Sequence, residues 1–189
     1  MVKDFVLASC SPQRRALLEQ IGMVPIKIEP ANINETPLKN EKATAYVKRM
    51  ALEKARNVAE KNPNKVVLAC DTIILANAKI IQKAHSDEEQ IKVMKTLSGK
   101  SHKVLSAVCI IDTNGKQKIR LSTTKILMKN LSDKEIKDYV ATKEWVGCAG
   151  YKIEGCLSGF VRKIIGSYSG VVGLPLFETR NLLNGVGIY

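Results

Sequence analysis

The sequence predicts an α/β fold in which helices flank one mixed sheet. In its first half, short β-branched segments alternate with segments of helical periodicity, as in a parallel α/β sheet. In its second half, two long β-rich segments follow each other around a turn, as in an antiparallel hairpin. The chain has 189 residues, 45% hydrophobic and 25% charged, which suits one well-packed domain over residues 1–189.

The first predicted strand, residues 5–9, leads into a helix that starts at Ser11 and Pro12. Serine is a favoured N-cap, and proline is favoured at the first helical position. The helix is predicted to end near Gly22. Its predicted inward-facing residues are Ala16, Leu17, Leu18 and Ile21.

The remaining elements follow from hydrophobic periodicity and turn residues. They are an extended segment at 27–30, a polar loop at 32–40, a helix at about 44–61, a strand at 66–76, a helix at about 87–97, a hairpin of 104–112 and 117–128 around Asn114-Gly115, a helix at 132–141, a strand at 159–165 and a closing helix from about 175. Ser132 and Glu135 have the spacing of a capping box.

The charge is strongly positive, because 30 Lys and Arg residues face 18 Asp and Glu residues and leave a formal charge of +12. This excess favours a polyanionic partner, which is a nucleic acid, an anionic membrane or a phosphorylated small molecule. The longest apolar segments, such as 66–70, are far shorter than the ~20 residues of a membrane helix. We therefore expect no association through a membrane span.

The five cysteines form no Cys-x-x-Cys pair, and the two histidines, His85 and His102, are far apart. This pattern gives little support to a zinc site. The segment from Met1 to Asp4 leads directly into the first strand, without the apolar core of a signal peptide. We therefore expect reduced cysteines in a cytoplasmic protein.

An anion site is predicted where the first helix begins. Arg14 and Arg15 fall in the first turn, where the helix dipole disfavours cations. Free backbone N–H groups, serine hydroxyls and guanidinium groups in one place are typical of a phosphate site. In the alternative interpretation, both arginines point into solvent.

Asp71 lies within the apolar segment 66–75. Because burial of an unpaired carboxylate is costly, Asp71 is predicted to be paired, metal-bound or located at a cleft. Otherwise it faces water at a strand bend. In a cleft, Asp71 would orient or deprotonate a water, or hold a divalent cation beside substrate phosphates. A turn at Asn77 would return Lys83 to a position beside Asp71.

The last third of the chain is rich in glycine, at 147–155 and 166–175. It contains neither a Walker A loop nor a Gly-x-Gly-x-x-Gly segment after a strand. These glycines either let the backbone approach a ligand or another strand closely, or serve as turn residues.

An ordered series of motifs resembles the Maf family of nucleoside triphosphate pyrophosphatases over nearly the whole chain. The matching segments are 7–18, 46–55, Ala69-Cys70-Asp71-Thr72, Ile81-Gln82-Lys83, 97–102 and 166–176. The resemblance implies a Maf/ITPase-like fold, with two lobes around a cleft, usually in a homodimer. It also implies hydrolysis of a nucleoside triphosphate to a monophosphate and pyrophosphate with Mg²⁺ or Mn²⁺.

The resemblance also implies roles for individual residues. The proton acceptor is Asp71, and the other catalytic residues are Lys54 and Lys83. Substrate binding is assigned to Ser9, Arg14, Arg15 and Glu154, and metal binding to Glu35 and Asp71.

The chain departs from the family pattern at several positions. Gln13 replaces an arginine, and Asn34 replaces the common aspartate beside Glu35. In segment 147–155, Glu154 replaces the glutamine of the subfamily that prefers dTTP and UTP, and Lys152 lies inside the motif. This segment partly matches a subfamily that acts on modified guanine nucleotides, whereas 159–169 is similar to the first subfamily. We expect dTTP and UTP as substrates, with modified-guanine nucleotides as the alternative.

Two functions without catalysis are also considered. The charge of +12 suits a nucleic-acid-binding module, and the family resemblance raises a regulatory role in cell division. The chain has only five Tyr, three Phe and one Trp, without a cluster on which bases would stack. We therefore expect no specific binding of nucleic acid.

Overall fold

One mixed sheet organises residues 4–189, the part of the chain that a computed structural model describes. In chain order the elements are β1 (Phe5–Leu7), α1 (Pro12–Gln20), β2 (Lys27–Ile28), α2 (Ala43–Ala59), β3 (Val66–Ala76), β4 (Lys79–Ile81), α3 (Asp87–Leu97), β5 (Ser101–Ile111), β6 (Gln117–Met128), α4 (Asp133–Ala141), a 3₁₀ helix (Cys156–Phe160), β7 (Val161–Ile165), α5 (Tyr168–Val172) and α6 (Leu176–Asn184). Met1, Val2 and Lys3, on which part of the expectation about the N-terminus depends, lie outside the described residues.

The strand order is β2-β1-β3-β5-β6-β7, and β4 lies beside β3. β1 runs parallel to both β2 and β3, whereas the other neighbouring strands are antiparallel. This arrangement confirms the predicted α/β fold with a mixed sheet, including the hairpin of β5 and β6. No helix among residues 4–189 combines the length and the hydropathy that crossing a bilayer requires.

One edge of β3 is interrupted in its middle. β5 pairs with the opposite edge from Val67 to Leu75, so β1 and β4 must share the remaining edge. β1 pairs only with residues 66–68, and β4 pairs only with residues 74–76. Between them, residues 69–73 have no strand partner on that edge among the described residues, and we call this segment the interrupted edge.

Side chains of β3 alternate between two apolar layers, because successive residues of a strand face opposite sides. α2 covers the side that contains Val67, Ala69 and Ile73. α1 and α6 cover the other side, which contains Leu68 and Cys70. Asp71 therefore lies on the side of α2, and Thr72 lies on the side of α1.

A second lobe packs around the far end of the sheet. Its core joins α3, α4 and the segment after α4, through side chains such as Met94, Tyr139, Trp145 and Leu157. The interrupted edge lies between this lobe and the lobe formed by β1, α1 and α2. The predicted arrangement of two lobes around a cleft is thereby confirmed.

Several predicted elements match the structure, and others need correction. Ser11 caps α1, since its Oγ accepts a hydrogen bond from the Arg14 N–H at 3.5 Å. Ala16 is exposed rather than inward-facing, because the short α1 buries only the stripe of Leu17 and Leu18. The strand predicted at 159–165 begins at Val161, since the 3₁₀ helix takes up the residues before it. β4 and α5 were not predicted.

His102 is a buried histidine of β5 whose Nε2 lies 2.6 Å from the hydroxyl oxygen of Tyr151. Burial lowers the pKa of His102 from its ordinary 6.5 to about 4. The unfolded chain therefore binds a proton near pH 6.5 that the folded chain binds only near pH 4. Consequently, His102 makes the free energy of unfolding decrease as the pH falls through this window.

We expect the substitution His102→Gln to remove that contribution between about pH 6.5 and pH 4.5, above the range in which most carboxylates titrate. Urea unfolding at several pH values measures it as a shallower slope of the free energy of unfolding against pH. His85, which is exposed, provides the control, and His85→Gln should keep the wild-type slope. A wild-type slope in His102→Gln would contradict the assignment.

Candidate active site

Asp71 lies at the centre of the interrupted edge and forms an ion pair with Lys54. The Nζ of Lys54 lies 2.6 Å from Oδ1 of Asp71, and the two side chains are only 13% and 9% exposed. α2 presents Lys54 to β3, because Lys54 borders the buried stripe of this helix, which includes Met50 and Ala55. Asp71 is thus a buried, paired carboxylate rather than a carboxylate that faces water at a strand bend.

Glu35 brings a second carboxylate to the same ammonium group. Its Oε1 lies 2.9 Å from the Nζ of Lys54. The loop that carries Glu35 is held by Tyr46, whose hydroxyl donates to the Glu35 carbonyl oxygen at 2.8 Å. Burial, together with the negative charges of Asp71 and Glu35, raises the pKa of Tyr46 to about 12. Tyr46 therefore stays protonated at neutral pH and keeps this hydrogen bond.

The two carboxylates fit a divalent cation that arrives with its substrate. Because Asp71 Oδ1 and Glu35 Oε1 both contact the Lys54 nitrogen, a cation with two carboxylate ligands would bind their remaining oxygen atoms beside this ammonium. Mg²⁺ commonly binds one or two carboxylates and completes its shell with water and substrate phosphates. Asn34 adds no ligand, since its Oδ1 accepts from the Thr36 N–H at 2.9 Å. Within residues 4–189, no group of three or more His, Cys, Asp or Glu side chains could hold a metal alone.

Arg14 faces the interrupted edge from the other side of the sheet. Its Nε donates to the Gly173 carbonyl oxygen at 2.9 Å, and its Nη1 donates to Ser9 Oγ at 3.0 Å. A guanidinium group has five N–H donors, so three of them remain for an anion. In the first turn of α1, Pro12 has no N–H and the Arg14 N–H donates to Ser11, so only the Gln13 N–H remains for an anion there. The structure thus brings Ser9 and Arg14 together, and the binding of an anion by them stays a prediction.

Arg15 does not join this site. Its side chain is 59% exposed and forms an ion pair with Glu19 at 2.8 Å, one turn along α1. Solvent exposure, the alternative considered for both arginines, thus describes Arg15 and not Arg14. A substrate-binding role of Arg15 stays a prediction.

Lys83 lies in the second lobe, two residues after β4. Asn77 and Ala78 have positive φ angles of 50° and 60°, which is typical of the tight turn of a hairpin, and they connect β3 to β4. The turn predicted at Asn77 is therefore present. Lys83 follows β4 and forms an isolated antiparallel bridge with Ala149. In the described part of the chain, the exposed Lys83 side chain forms no hydrogen bond or ion pair with Asp71.

The bridge to Ala149 places Lys83 beside the loop at 147–155, which carries Glu154. Burial and then the negative charge of Glu154 raise the pKa of the Cys148 thiol, whereas Lys152 and Lys83 lower it. The side chains of Lys83 and Glu154 therefore share the neighbourhood of Cys148. Glu154 itself is exposed and available to a ligand.

Buried polar side chains hold this loop from behind. Gln90 is fully buried, and its Nε2 donates to the Gly150 carbonyl oxygen at 2.6 Å. The contact of His102 with Tyr151 holds the next residue of the loop. Gln90 was not among the predicted site residues, although the sequence has a signal for it. Gln90 is a polar residue on the buried face of α3, on which Met94 also lies.

The chain is similar to the proteins of one family over almost its whole length. The model of the family described as "Maf-like protein" matches residues 4–186. A relative from Caulobacter vibrioides named dTTP/UTP pyrophosphatase is 46% identical over 183 residues, which cover 96% of this chain and 95% of the relative. A relative of the same name from Sphingopyxis alaskensis is 47% identical over 184 residues, which cover 97% and 96%.

Among solved structures, the Staphylococcus aureus Ham1 protein has a similar fold. It superposes with a TM-score of 0.50 at 17% sequence identity, over 67% of this chain and 72% of that chain. At this identity, the likeness is one of fold.

We expect Lys54→Met to lower the free energy of unfolding by about 3 kcal/mol, because it leaves the buried Asp71 carboxylate without its counter-ion. Urea unfolding at neutral pH measures the change. Lys134→Met is the matched control, since it breaks the ion pair between Lys134 and Asp138. The side chains of these two residues are 84% and 62% exposed, respectively. The control should change stability by less than about 0.5 kcal/mol. Equal stability of the two variants would contradict a structural role of the Lys54–Asp71 pair.

Proposed function

The chain belongs to the Maf family, and we propose that it hydrolyses nucleoside triphosphates to monophosphates and pyrophosphate, with dTTP and UTP as its substrates. The observation that carries this proposal is that carboxylates and cationic side chains lie close together at the interrupted edge of β3. The proton acceptor Asp71 lies there with Lys54 and Glu35, and Arg14 faces the same edge from the other side. The names of the relatives support the choice of substrates.

In the proposed reaction, the oxygen of a water bonds to the α-phosphorus, and the bond from this phosphorus to the oxygen that bridges the α and β phosphates breaks. Asp71 accepts the proton of the attacking water. The ammonium of Lys54 holds Oδ1 of Asp71, which leaves Oδ2 to receive this proton. The bridging oxygen leaves with the pyrophosphate. Positioning and electrostatic stabilisation supply most of the rate in such reactions.

The cations of the cleft offset the charge that grows on the leaving pyrophosphate. Arg14 binds phosphate oxygens with the N–H groups that Ser9 and Gly173 leave free, and Ser9 keeps its guanidinium in place. Lys83 adds positive charge from the second lobe, whereas Lys54, which is paired with two carboxylates, holds Asp71 in place. A divalent cation, Mg²⁺ or Mn²⁺, held by Asp71 and Glu35 would neutralise phosphate charge and lower the pKa of a bound water.

The loop at 147–155 is the proposed site of nucleobase recognition, with Glu154 as the contact. Uracil and thymine present an N–H donor at N3 beside the acceptor oxygens O2 and O4. The carboxylate of Glu154 accepts the N3 hydrogen bond but repels the neighbouring oxygens, whereas a glutamine amide both accepts and donates. The Glu154 carboxylate therefore supports weaker discrimination for these bases than a glutamine would.

We further propose a cytoplasmic location, which the state of the cysteines supports. All five cysteines are free thiols. Free thiols are typical of a reducing compartment. The homodimer that the family resemblance implies stays a prediction, and light scattering of the purified protein tests it.

We expect Asp71→Asn to lower kcat for UTP by at least about 100-fold and to change KM by less than about threefold, because it removes the proton acceptor and keeps the shape of the cleft. Pyrophosphate release in the presence of Mg²⁺ measures both constants. Asp138→Asn, at an exposed aspartate of α4, is the control and should keep wild-type activity. Full turnover by the Asp71 variant would refute the proposed reaction.

We expect Glu154→Gln to raise the ratio of kcat/KM for UTP to kcat/KM for GTP by about tenfold, because the amide gains a donor for a carbonyl oxygen of uracil. A panel of dTTP, UTP, dGTP and GTP measures the ratio. Glu60→Gln, at an exposed residue that is distant in sequence from Glu154, should leave this ratio unchanged. An unchanged ratio in the Glu154 variant excludes the base contact. A wild-type preference for guanine nucleotides would establish the alternative specificity.

A further inference from the structure

Within the described residues, the side chain of Arg14 has only neutral hydrogen-bond partners. Arg15 pairs with Glu19, and Arg49 pairs with Glu41 and Glu53. Arg14 instead donates to the carbonyl oxygen of Gly173 and to a hydroxyl oxygen. Since no carboxylate neutralises it, the guanidinium keeps its full positive charge for an anion. The position of the Gly173 carbonyl therefore determines where that charge points.

The Gly173 carbonyl has this position because of an unusual backbone conformation. Gly173 has a φ of +137°, which side chains other than hydrogen rarely allow. Its carbonyl oxygen also accepts from the Cys70 thiol at 3.1 Å and lies 3.4 Å from the Thr72 hydroxyl. Gly173 directly follows α5, in the glycine-rich segment 166–175 that the proposed reaction does not use. Whatever holds this segment on the sheet also sets the direction of Arg14.

A row of hydroxyl groups on three neighbouring strands holds the segment. Ser106 on β5 donates its hydroxyl hydrogen to the Gly170 carbonyl oxygen at 2.6 Å. Because this uses the one hydroxyl hydrogen of Ser106, the hydrogen of Thr72 on β3 is shared between the Ser106 hydroxyl oxygen at 3.1 Å and the Gly173 carbonyl oxygen at 3.4 Å. Thr124 on β6 accepts from the Ser167 N–H at 2.9 Å and so holds the beginning of the segment.

Two of the three hydroxyl residues, Ser106 and Thr124, are buried and Thr72 is half-buried, so water cannot replace the hydrogen bond from Ser106 to Gly170. Ser106 and Thr124 are each 1% exposed, and Gly170 is buried as well. Loss of the Ser106 hydroxyl would leave the Gly170 carbonyl without a partner, which is costly in a buried position. Gly170 lies three residues before Gly173, so a displacement of α5 moves the carbonyl that orients Arg14.

We infer that Thr72 and Ser106 are positioning residues, which fix α5 on the sheet so that the Gly173 carbonyl aims the Arg14 guanidinium at the substrate triphosphate. The inference rests on the proposed function for its substrate. Ser106 acts through Gly170 and α5 on the Gly173 carbonyl, whereas Thr72 contacts both Ser106 and the Gly173 carbonyl that binds Arg14. In this role, the glycines of segment 166–175 let the backbone approach the sheet closely and do not bind the ligand directly.

The test compares Ser106→Ala with Ser122→Ala. Ser122 is the neighbour of Ser106 in the register with β6 and is 8% exposed, and its hydroxyl forms no hydrogen bond within residues 4–189. We expect Ser106→Ala to raise KM for UTP about tenfold with a smaller change in kcat, and Ser122→Ala to leave both constants unchanged. Thr72→Val should act like Ser106→Ala, and Thr72→Ser, which keeps the hydroxyl, should restore KM.

A double-mutant cycle separates a role through Arg14 from a general structural role. In the background of Arg14→Ala, the substitution Ser106→Ala should cause no further rise in KM. An additional tenfold rise there, or equal effects of Ser106→Ala and Ser122→Ala, would overturn the inference. If Ser106→Ala does not fold, the comparison of Thr72→Val with Thr72→Ser decides in the same way.

Nuclear magnetic resonance of the Arg14 side chain provides a readout that does not depend on catalysis. The Nε–H of Arg14 should exchange slowly with solvent in the wild type and at least about tenfold faster in Ser106→Ala. Unchanged exchange would overturn the inference even if the enzyme is active. Absence of pyrophosphate release from every nucleotide would refute the proposed function, and the exchange rates would still decide whether the hydroxyl row orients Arg14.

Discussion

The buried ion pair between Lys54 and Asp71 is the interaction on which the site depends. A carboxylate within an apolar strand is tolerated because an ammonium lies 2.6 Å away. Lys54 reaches this position only because α2 packs its apolar stripe against the same face of β3. The ion pair therefore connects the helix packing of the first lobe to the chemistry of the cleft. It also brings Glu35 within reach of Asp71 through the shared ammonium.

The interrupted edge of β3 explains why these groups surround a cleft and not a continuous sheet. β1 ends at Leu7, because the chain then turns into α1, and β4 begins only after the turn at Asn77 and Ala78. Residues 69–73 of β3 pair with neither β1 nor β4 on that edge. Side chains from both faces of the sheet meet there. The two faces differ, since acidic groups gather with Lys54 on one face and Arg14 is held by neutral acceptors on the other.

Local patterns predicted the elements whose signals are local. The β-branched run of β3 and the serine and proline at the start of α1 each depend on neighbouring residues, and the structure has them as predicted. Asp71 was predicted to be paired, metal-bound or located at a cleft, because burial of a free carboxylate is costly, but no local pattern identifies Lys54 as its partner. The choice between Arg14 and Arg15 depends on Gly173, which lies 159 residues away from Arg14. The short β4 and α5 have too few residues to show a period, so they were missed.

The most direct test of the central claim is a crystal structure of the protein with Mg²⁺ and a UTP analogue whose α and β phosphates are joined by an imido group. The account predicts that the triphosphate lies along residues 69–73, with the α-phosphorus facing Asp71 and with Arg14 bound to phosphate oxygens. A bound nucleotide whose triphosphate contacts neither Asp71 nor Arg14 would contradict it.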